Sequence, residues 1–205
     1  MLVTLSASYG AGGSRVGPAL AERLGVPFVD RAIPFAVSAR LDVHPDTAHE
    51  HDERGGFSRF ERILRGFIGQ DVGAPLPIAS DLTVDEDFRR ATEEVLVAQA
   101  DTGEGVILGR AAALVLRDRP DVLRARLDGP AERRAEQAAR LAGIEIADAE
   151  RMVARMDRAH AEYSRRFYDA DVRDPGLYDV VLDSTRIALD TCVELLETAA
   201  GARAR

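Results

Sequence analysis

The stretch "TLSASYGAGGSRVG", residues 4 to 17, decides how the chain is read. A short apolar run, Leu2 to Leu5, leads into it, and a helix-like stretch, Arg15 to Leu24, leads out. Between them lies a glycine-rich turn. A strand, a glycine turn and a helix in that order form a recognised anion-binding unit. The glycines let the backbone curl so that several N–H groups face inward. From Ala7 to Ser14 the spacing matches G-x-x-x-x-G-K-[ST], with Gly13 where that pattern has lysine.

Gly10, Gly12 and Gly13 supply the curl, and Gly10, Ala11, Gly12, Gly13 and Ser14 are the candidate phosphate contacts. Ser14 falls where a hydroxyl meets a nucleotide-bound magnesium. Gly17, one turn into the helix, permits close approach of a neighbouring segment. Two other readings stand beside this one. The turn is also compatible with a tight strand-to-helix connection that binds nothing. It also partly fits G-x-G-x-x-G, with Gly10 and Gly12 in place and Asp30 at the end of the next strand, but Arg15 occupies the third glycine position.

The chain has 205 residues, 46% of them hydrophobic and 30% charged, enough for a real core in one domain with sizeable insertions. Its net charge of -8 argues against a general nucleic-acid binder. An anionic small molecule is still compatible with it, because a local arginine pocket coexists with an acidic surface. The permanent positive charges are all arginine, so no lysine elsewhere in the chain replaces the one absent from the turn. The single Cys192 excludes a disulfide framework and points to a reducing, cytoplasmic setting. No signal peptide or membrane span is expected.

Outward from the turn, the pattern predicts strands at Leu2–Ser6, Val26–Val29, Gly105–Leu108, Val122–Leu127 and Asp179–Leu182. Helices are expected at Ser14–Leu24, Ile33–Arg40, Arg110–Arg117, Ala131–Ala142 and Arg186–Ala199. This alternation reads as an α/β fold with a parallel, doubly wound sheet. Two segments interrupt it. Residues 34 to about 103 hold polar turns, a helical stretch Phe57–Phe67, a "GAPLP" loop and a helix from about Val84 with a Thr83/Glu86 capping box. Ile146 to Tyr168 reads as a long arginine-rich helix. The tail "AAGARAR" reads as disordered. His44, His49 and His51 lack the spacing of a metal site and read as a solvated loop.

Arg151, Arg155, Arg158 and Arg165 recur at helical spacing along one stripe of the long helix. That stripe is read either as a phosphate-facing row or as a solvated face neutralised by Glu150, Asp157 and Glu162. Asp157 is read as orienting a neighbouring arginine or as a plain surface acid, the first reading being preferred. Arg110 follows a strand end, where ligands sit in open α/β sheets. Arg15 stands in the first turn of a helix, against the dipole, and so calls for an anion there. Phosphoryl transfer needs positioning and positive charge above all, and a guanidinium supplies that charge.

Four stretches together resemble the cytidylate kinase-like family of P-loop nucleoside monophosphate kinases: "SASYGAGGSRVGPALAERLGVPFVD", "GVILGRAAALVLRDRP", "RMDRAHAEYSRRFYDADVRDP" and "YDVVLDSTRI". The resemblance implies a three-layer P-loop fold with a five-stranded parallel sheet. Residues 1–33 and 104–205 would form the core, about 146–172 the lid, and 34–103 a helical insertion that binds the monophosphate. It implies phosphoryl transfer from ATP, with Mg2+, to CMP or a related small acceptor. The loop Gly10–Ser14 would hold the ATP phosphates, Arg110 of "LGR" the monophosphate, and Arg155 and Arg158 of the lid the transferring group. Ser184 and Thr185 would lie beside the base, and Arg15 would take over from the missing lysine. Three departures from the family pattern stand out: Gly13 for lysine, Leu108 for the aspartate of "DGR", and His160 for a lid arginine. They leave open a non-catalytic nucleotide sensor on the same fold.

Overall fold

β1 (Leu2–Ala7) runs up the middle of a five-stranded parallel sheet in the computed structural model, which describes residues 1–30 and 82–203. β3 (Gly105–Leu108) pairs with it on one side and β4 (Val122–Asp128) on the other. β2 (Phe28–Asp30) and β5 (Val180–Asp183) form the edges, giving the order β2-β3-β1-β4-β5. Leu2 lies opposite both Gly105 and Val122, and Ala7 opposite Leu127. Contacts divide the chain into two units, Met1–Pro34 with Phe88–Arg205, and Phe35–Asp87. The sheet belongs to the first. The expected Ile33–Arg40 helix, the Phe57–Phe67 stretch, the "GAPLP" loop and the three histidines of 44 to 51 lie outside the described residues.

Side chains alternate across a strand, so β1 feeds two cores. Val3 and Leu5 face α1 (Gly13–Leu24) and α6 (Leu189–Arg203), where Val16, Leu20, Cys192 and Leu196 are fully buried. Leu2 and the neighbouring Ile107 face the other layer, with Leu96 and Ala100 of α2 (Leu82–Asp101) and Ala112 of α3 (Arg110–Val115). Each such leucine withdrawn from water contributes about 1.5–3 kcal/mol. Two more helices, α4 (Ala131–Ala142) and α5 (Ile146–Tyr168), pack on each other through Ala135, Ala138, Ala149 and Val153. These small residues let the two helices approach closely.

Most element ends fall within two residues of expectation, and the shifts have local causes. β2 starts at Phe28 because Val26 still belongs to the helix end. Gly25 takes a left-handed φ of 66°, and the Val26 N–H donates back to Ala21 O at 3.0 Å. α6 starts at Leu189, three residues late. Ahead of it, Arg186 and Ile187 donate to Asp183 O in a turn. The tail is a correction for its described residues: α6 runs on to Arg203, so residues 199–203 are helical. Arg203 ties it down by pairing with Asp179 at 3.0 Å and donating to Pro120 O. Gly17 fits its expected role, since a Cβ there would stand 2.7 Å from the Phe28 ring. No helix among the described residues is long and apolar enough to cross a membrane.

Candidate functional site

The glycine turn stands at the carboxyl end of β1, between the sheet and the first turn of α1. It opens with a tight turn in which Ala11 N–H donates to Ser8 O at 2.9 Å and Gly10 has φ 81°. Gly12, with φ 79°, is the N-cap of α1. The sign of φ disfavours a side chain at either glycine, and at Gly10 the neighbouring backbone leaves no space for one. A Cβ on Gly10 would lie 2.2 Å from Arg134 O, and one on Gly12 would lie 2.7 Å from Leu189.

Three carbonyls of the turn are each claimed by a side chain from elsewhere. Arg134 Nη1 donates to Tyr9 O at 3.0 Å, Gln137 Nε2 to Gly10 O at 2.9 Å, and the Ser184 hydroxyl to Ala11 O at 2.7 Å. In a trans peptide the C=O and the following N–H point in opposite directions. Holding Tyr9 O and Ala11 O outward therefore aims the Gly10 and Gly12 N–H groups inward. Beyond them come the Gly13 and Ser14 N–H groups, which open α1 where the helix has no partner to offer. None of these four N–H groups has an acceptor among the described residues. No side chain caps α1, and its first turn carries no acid. The cluster is a set of donors at a helix's positive end, suited to an anion. Ser14 and Arg15 are exposed in that first turn.

Gly13, the position of the missing lysine, is closed off. A Cβ built there would stand 2.5 Å from Ala7 Cβ and 3.1 Å from Leu108 Cδ1. Ala7 fills the first glycine position of the motif, and Leu108 the aspartate position of "DGR". Two departures that look separate in sequence, Gly13 and Leu108, therefore meet with Ala7 at one point as an apolar plug, and the third, His160, lies apart from it on α5.

Beside the turn lies a buried ionic network that the sequence reading did not single out. Arg126 of β4, 4% exposed, donates to Asp128 Oδ2 at 2.7 Å, Ser8 Oγ at 3.1 Å and Val172 O at 2.8 Å. Burial opposes ionisation of Asp128, but the Arg126 guanidinium outweighs it, with help from Ser8 and the Gly129 N–H. The Asp128 carboxyl is therefore held below the usual carboxylate range. Arg134 is buried as well. Its guanidinium donates to Gly129 O at 2.8 Å and pairs in a fork with Asp157, at 2.5 and 3.1 Å. Asp157 thus does orient an arginine, but one on α4 and not on its own helix.

The other expected residues fall as follows. Arg110 opens α3 directly after Gly109; its side chain lies outside the described residues. Arg155 and Arg158 are exposed on α5, either side of Asp157. Arg151 pairs with Asp148 one turn away. Ser184 is buried and fixes the turn through Ala11 O, while the Thr185 hydroxyl donates to Asp183 at 2.5 Å. Arg134 and Gln137 lie three residues apart on one face of α4. That spacing is the only sequence trace of their shared target, and it is common to many helices.

Comparison with known proteins agrees with this architecture. A cytidylate kinase of Natronomonas pharaonis is 26% identical over 204 residues, covering 100% of this chain and 91% of that protein. A cytidylate kinase of Methanopyrus kandleri is 32% identical over 127 residues, 58% of this chain and 62% of that protein. The solved shikimate kinase of Acinetobacter baumannii superposes with a TM-score of 0.51 at 16% identity, covering 99% of this chain and 94% of that one, a likeness of fold alone. The fold is that of the P-loop kinases, three layers around a parallel five-stranded sheet. The model of the cytidylate kinase-like family matches residues 2–186, and the chain belongs to that family.

Proposed function

We propose that this protein transfers the terminal phosphoryl group of Mg-ATP to a nucleoside monophosphate, with CMP or a related small acceptor first. The observation that carries the reading is the set of four inward N–H groups, Gly10, Gly12, Gly13 and Ser14, with the intervening carbonyls turned away by Arg134, Gln137 and Ser184. A polyphosphate fits that donor set. Its negative charge meets N–H dipoles and a helix N-terminus, and no carboxylate intrudes from the first turn. Magnesium arrives as part of the donor nucleotide, with the Ser14 hydroxyl as its protein contact.

In this reading an oxygen of the acceptor phosphate attacks the terminal phosphorus in line, and the bond to the bridging oxygen breaks. The acceptor oxygen is already anionic, so no strong base is needed. Loop N–H groups and the Arg15, Arg155 and Arg158 guanidiniums meet the charge on the transferring group. Arg110 grips the monophosphate. Thr185 and the Ser184 backbone lie at the base edge. The monophosphate-binding insertion lies within residues 34–103, ahead of the part of α2 around Leu96 and Ala100 that packs on the sheet, and 146–172 act as the lid. The setting is cytoplasmic, and the partners are small nucleotides.

A specific observation favours a second reading. The plug of Ala7, Gly13 and Leu108 removes the ammonium that usually meets the phosphates, as expected of a nucleotide sensor that no longer turns over. A coupled ADP-release assay against a panel of monophosphates, run beside calorimetric ATP titration, separates the two. Turnover with one monophosphate supports the kinase. ATP binding with no turnover on any acceptor selects the sensor, and no binding at all refutes both.

A further inference from the structure

Arg134 joins three segments that are far apart in sequence. It stands on α4, its Nε holds Gly129 O, its Nη1 holds Tyr9 O, and its fork holds both carboxylate oxygens of Asp157 on α5. A bidentate fork fixes the plane of a guanidinium as well as its position. With Nε held by Gly129 O and 3.5 Å from Asp128 Oδ1, the direction of the Nη1 donor toward Tyr9 O is completed by where Asp157 sits. A second tie runs parallel to the first. The Tyr9 side chain packs against the α4–α5 cluster of Ala135, Ala138, Ala149 and Val153, and its hydroxyl donates to Met152 Sδ at 3.3 Å. The stretch of α5 from Met152 to Asp157 thus holds the beginning of the glycine turn at two points.

The geometry points to Asp157 as a positioning residue for the glycine turn. Through Arg134 it sets the tilt of the Tyr9–Gly10 peptide, and with it the aim of the Gly10 N–H. Arg155 and Arg158 share the turn of helix that carries Asp157. Any movement of this part of α5 that shifts those two arginines also re-aims the Gly10 N–H. Lid position and loop shape are one linked variable, and linkage of this kind is reciprocal: a phosphate bound in the turn favours one placement of α5. The consequence for nucleotide affinity rests on the proposed reading of the turn as the donor's phosphate site. The consequence for the Gly10 N–H does not.

A plain structural salt bridge predicts general loosening when it is weakened. The positioning role predicts an effect confined to one peptide. The full chain labelled with 15N-glycine and free of nucleotide distinguishes them. In Asp157→Asn the amide resonance of Gly10 moves and that of Gly12, whose peptide Ser184 holds, stays. In Ser184→Ala the reverse occurs. Arg134→Lys keeps the charge but loses the fork and reproduces the Gly10 shift. Asp157→Glu, which restores both oxygens, brings the resonance part of the way back. ATP affinity by calorimetry falls at least about fivefold in Asp157→Asn, the low end for coupled sites. It falls less than about twofold further when the same change is made in Arg134→Lys, because the two act as one unit. A Gly10 resonance that stays put in Asp157→Asn, or Gly10 and Gly12 resonances that move together, overturns the inference. If the wild-type chain binds no ATP, the proposed function fails, and the glycine spectra still decide whether Asp157 aims the turn.

Discussion

Gly13→Ala tests the apolar plug with a single added methyl group. Carbon atoms prefer separations of about 3.5–4.0 Å. The new Cβ would sit 2.5 Å from Ala7 Cβ and 3.1 Å from Leu108 Cδ1, so β1 or α1 must move. Ala7 Cβ is attached directly to the strand backbone and has no rotamer by which to yield. Overpacking of this kind costs about 1–3 kcal/mol. Gly13 has no positive φ and lies in α1, so alanine returns part of the roughly 1 kcal/mol of helix propensity, and less at a first helical residue. The expected net loss is about 1–2 kcal/mol. At about 2–4 °C per kcal/mol for a chain of this size, Tm falls by about 2–8 °C. Urea denaturation and thermal melting measure both. Ala7→Gly removes the tightest contact, so the double variant recovers at least about 0.5 kcal/mol relative to the sum of the two single changes. Gly13→Lys needs the same room plus a stem, and it does not tighten ATP binding. A Gly13→Ala protein as stable as wild type, strict additivity with Ala7→Gly, or a Gly13→Lys protein with tighter ATP binding refutes the plug.

Three further outcomes follow from the same geometry. Ser184→Ala leaves Ala11 O buried without its 2.7 Å donor and lowers stability by about 1–3 kcal/mol in urea unfolding; a change below about 0.5 kcal/mol contradicts the assigned bond. Asp128 has a lowered folded pKa, so the stability it contributes is complete above the unfolded carboxylate value of about 3.9 and is lost as pH falls through the folded value. Melting from pH 6 to pH 3 shows wild type losing its advantage over Asp128→Asn below about pH 4, and a gap independent of pH counts against the pair. Arg15→Ala removes an exposed guanidinium, so unfolding free energy holds within the roughly 0.5 kcal/mol expected of a surface change. Its kcat drops about 10²–10³-fold, as for loss of one charge-stabilising donor; normal turnover removes Arg15 from the phosphoryl site.

The fold was legible where local signals agree. The apolar run of β1, the glycines that follow it and the helix that runs out to Leu24 all act over a few residues, and each lies close to its expected place. Element ends were less legible because they depend on individual bonds, such as Val26 N–H to Ala21 O, that no propensity specifies. The tail illustrates this. Its composition suggests disorder, but Arg203 finds Asp179 and Pro120 across the fold. The site divides in the same way. The turn residues were readable from spacing. Arg134 and Gln137 were not, because each acts on a carbonyl more than a hundred residues away. Gly13 and Leu108 were each visible as departures from a pattern. Only their packing with Ala7 shows that they form one feature.

Co-crystallisation with magnesium and a non-hydrolysable ATP analogue tests whether the glycine turn is a phosphate site. Phosphate oxygens are expected within hydrogen-bonding distance of the Gly10, Gly12, Gly13 and Ser14 N–H groups, with Tyr9 O, Gly10 O and Ala11 O still held by Arg134, Gln137 and Ser184. A nucleotide bound elsewhere while the turn holds no phosphate, or a turn whose carbonyls flip toward the phosphates, contradicts that assignment.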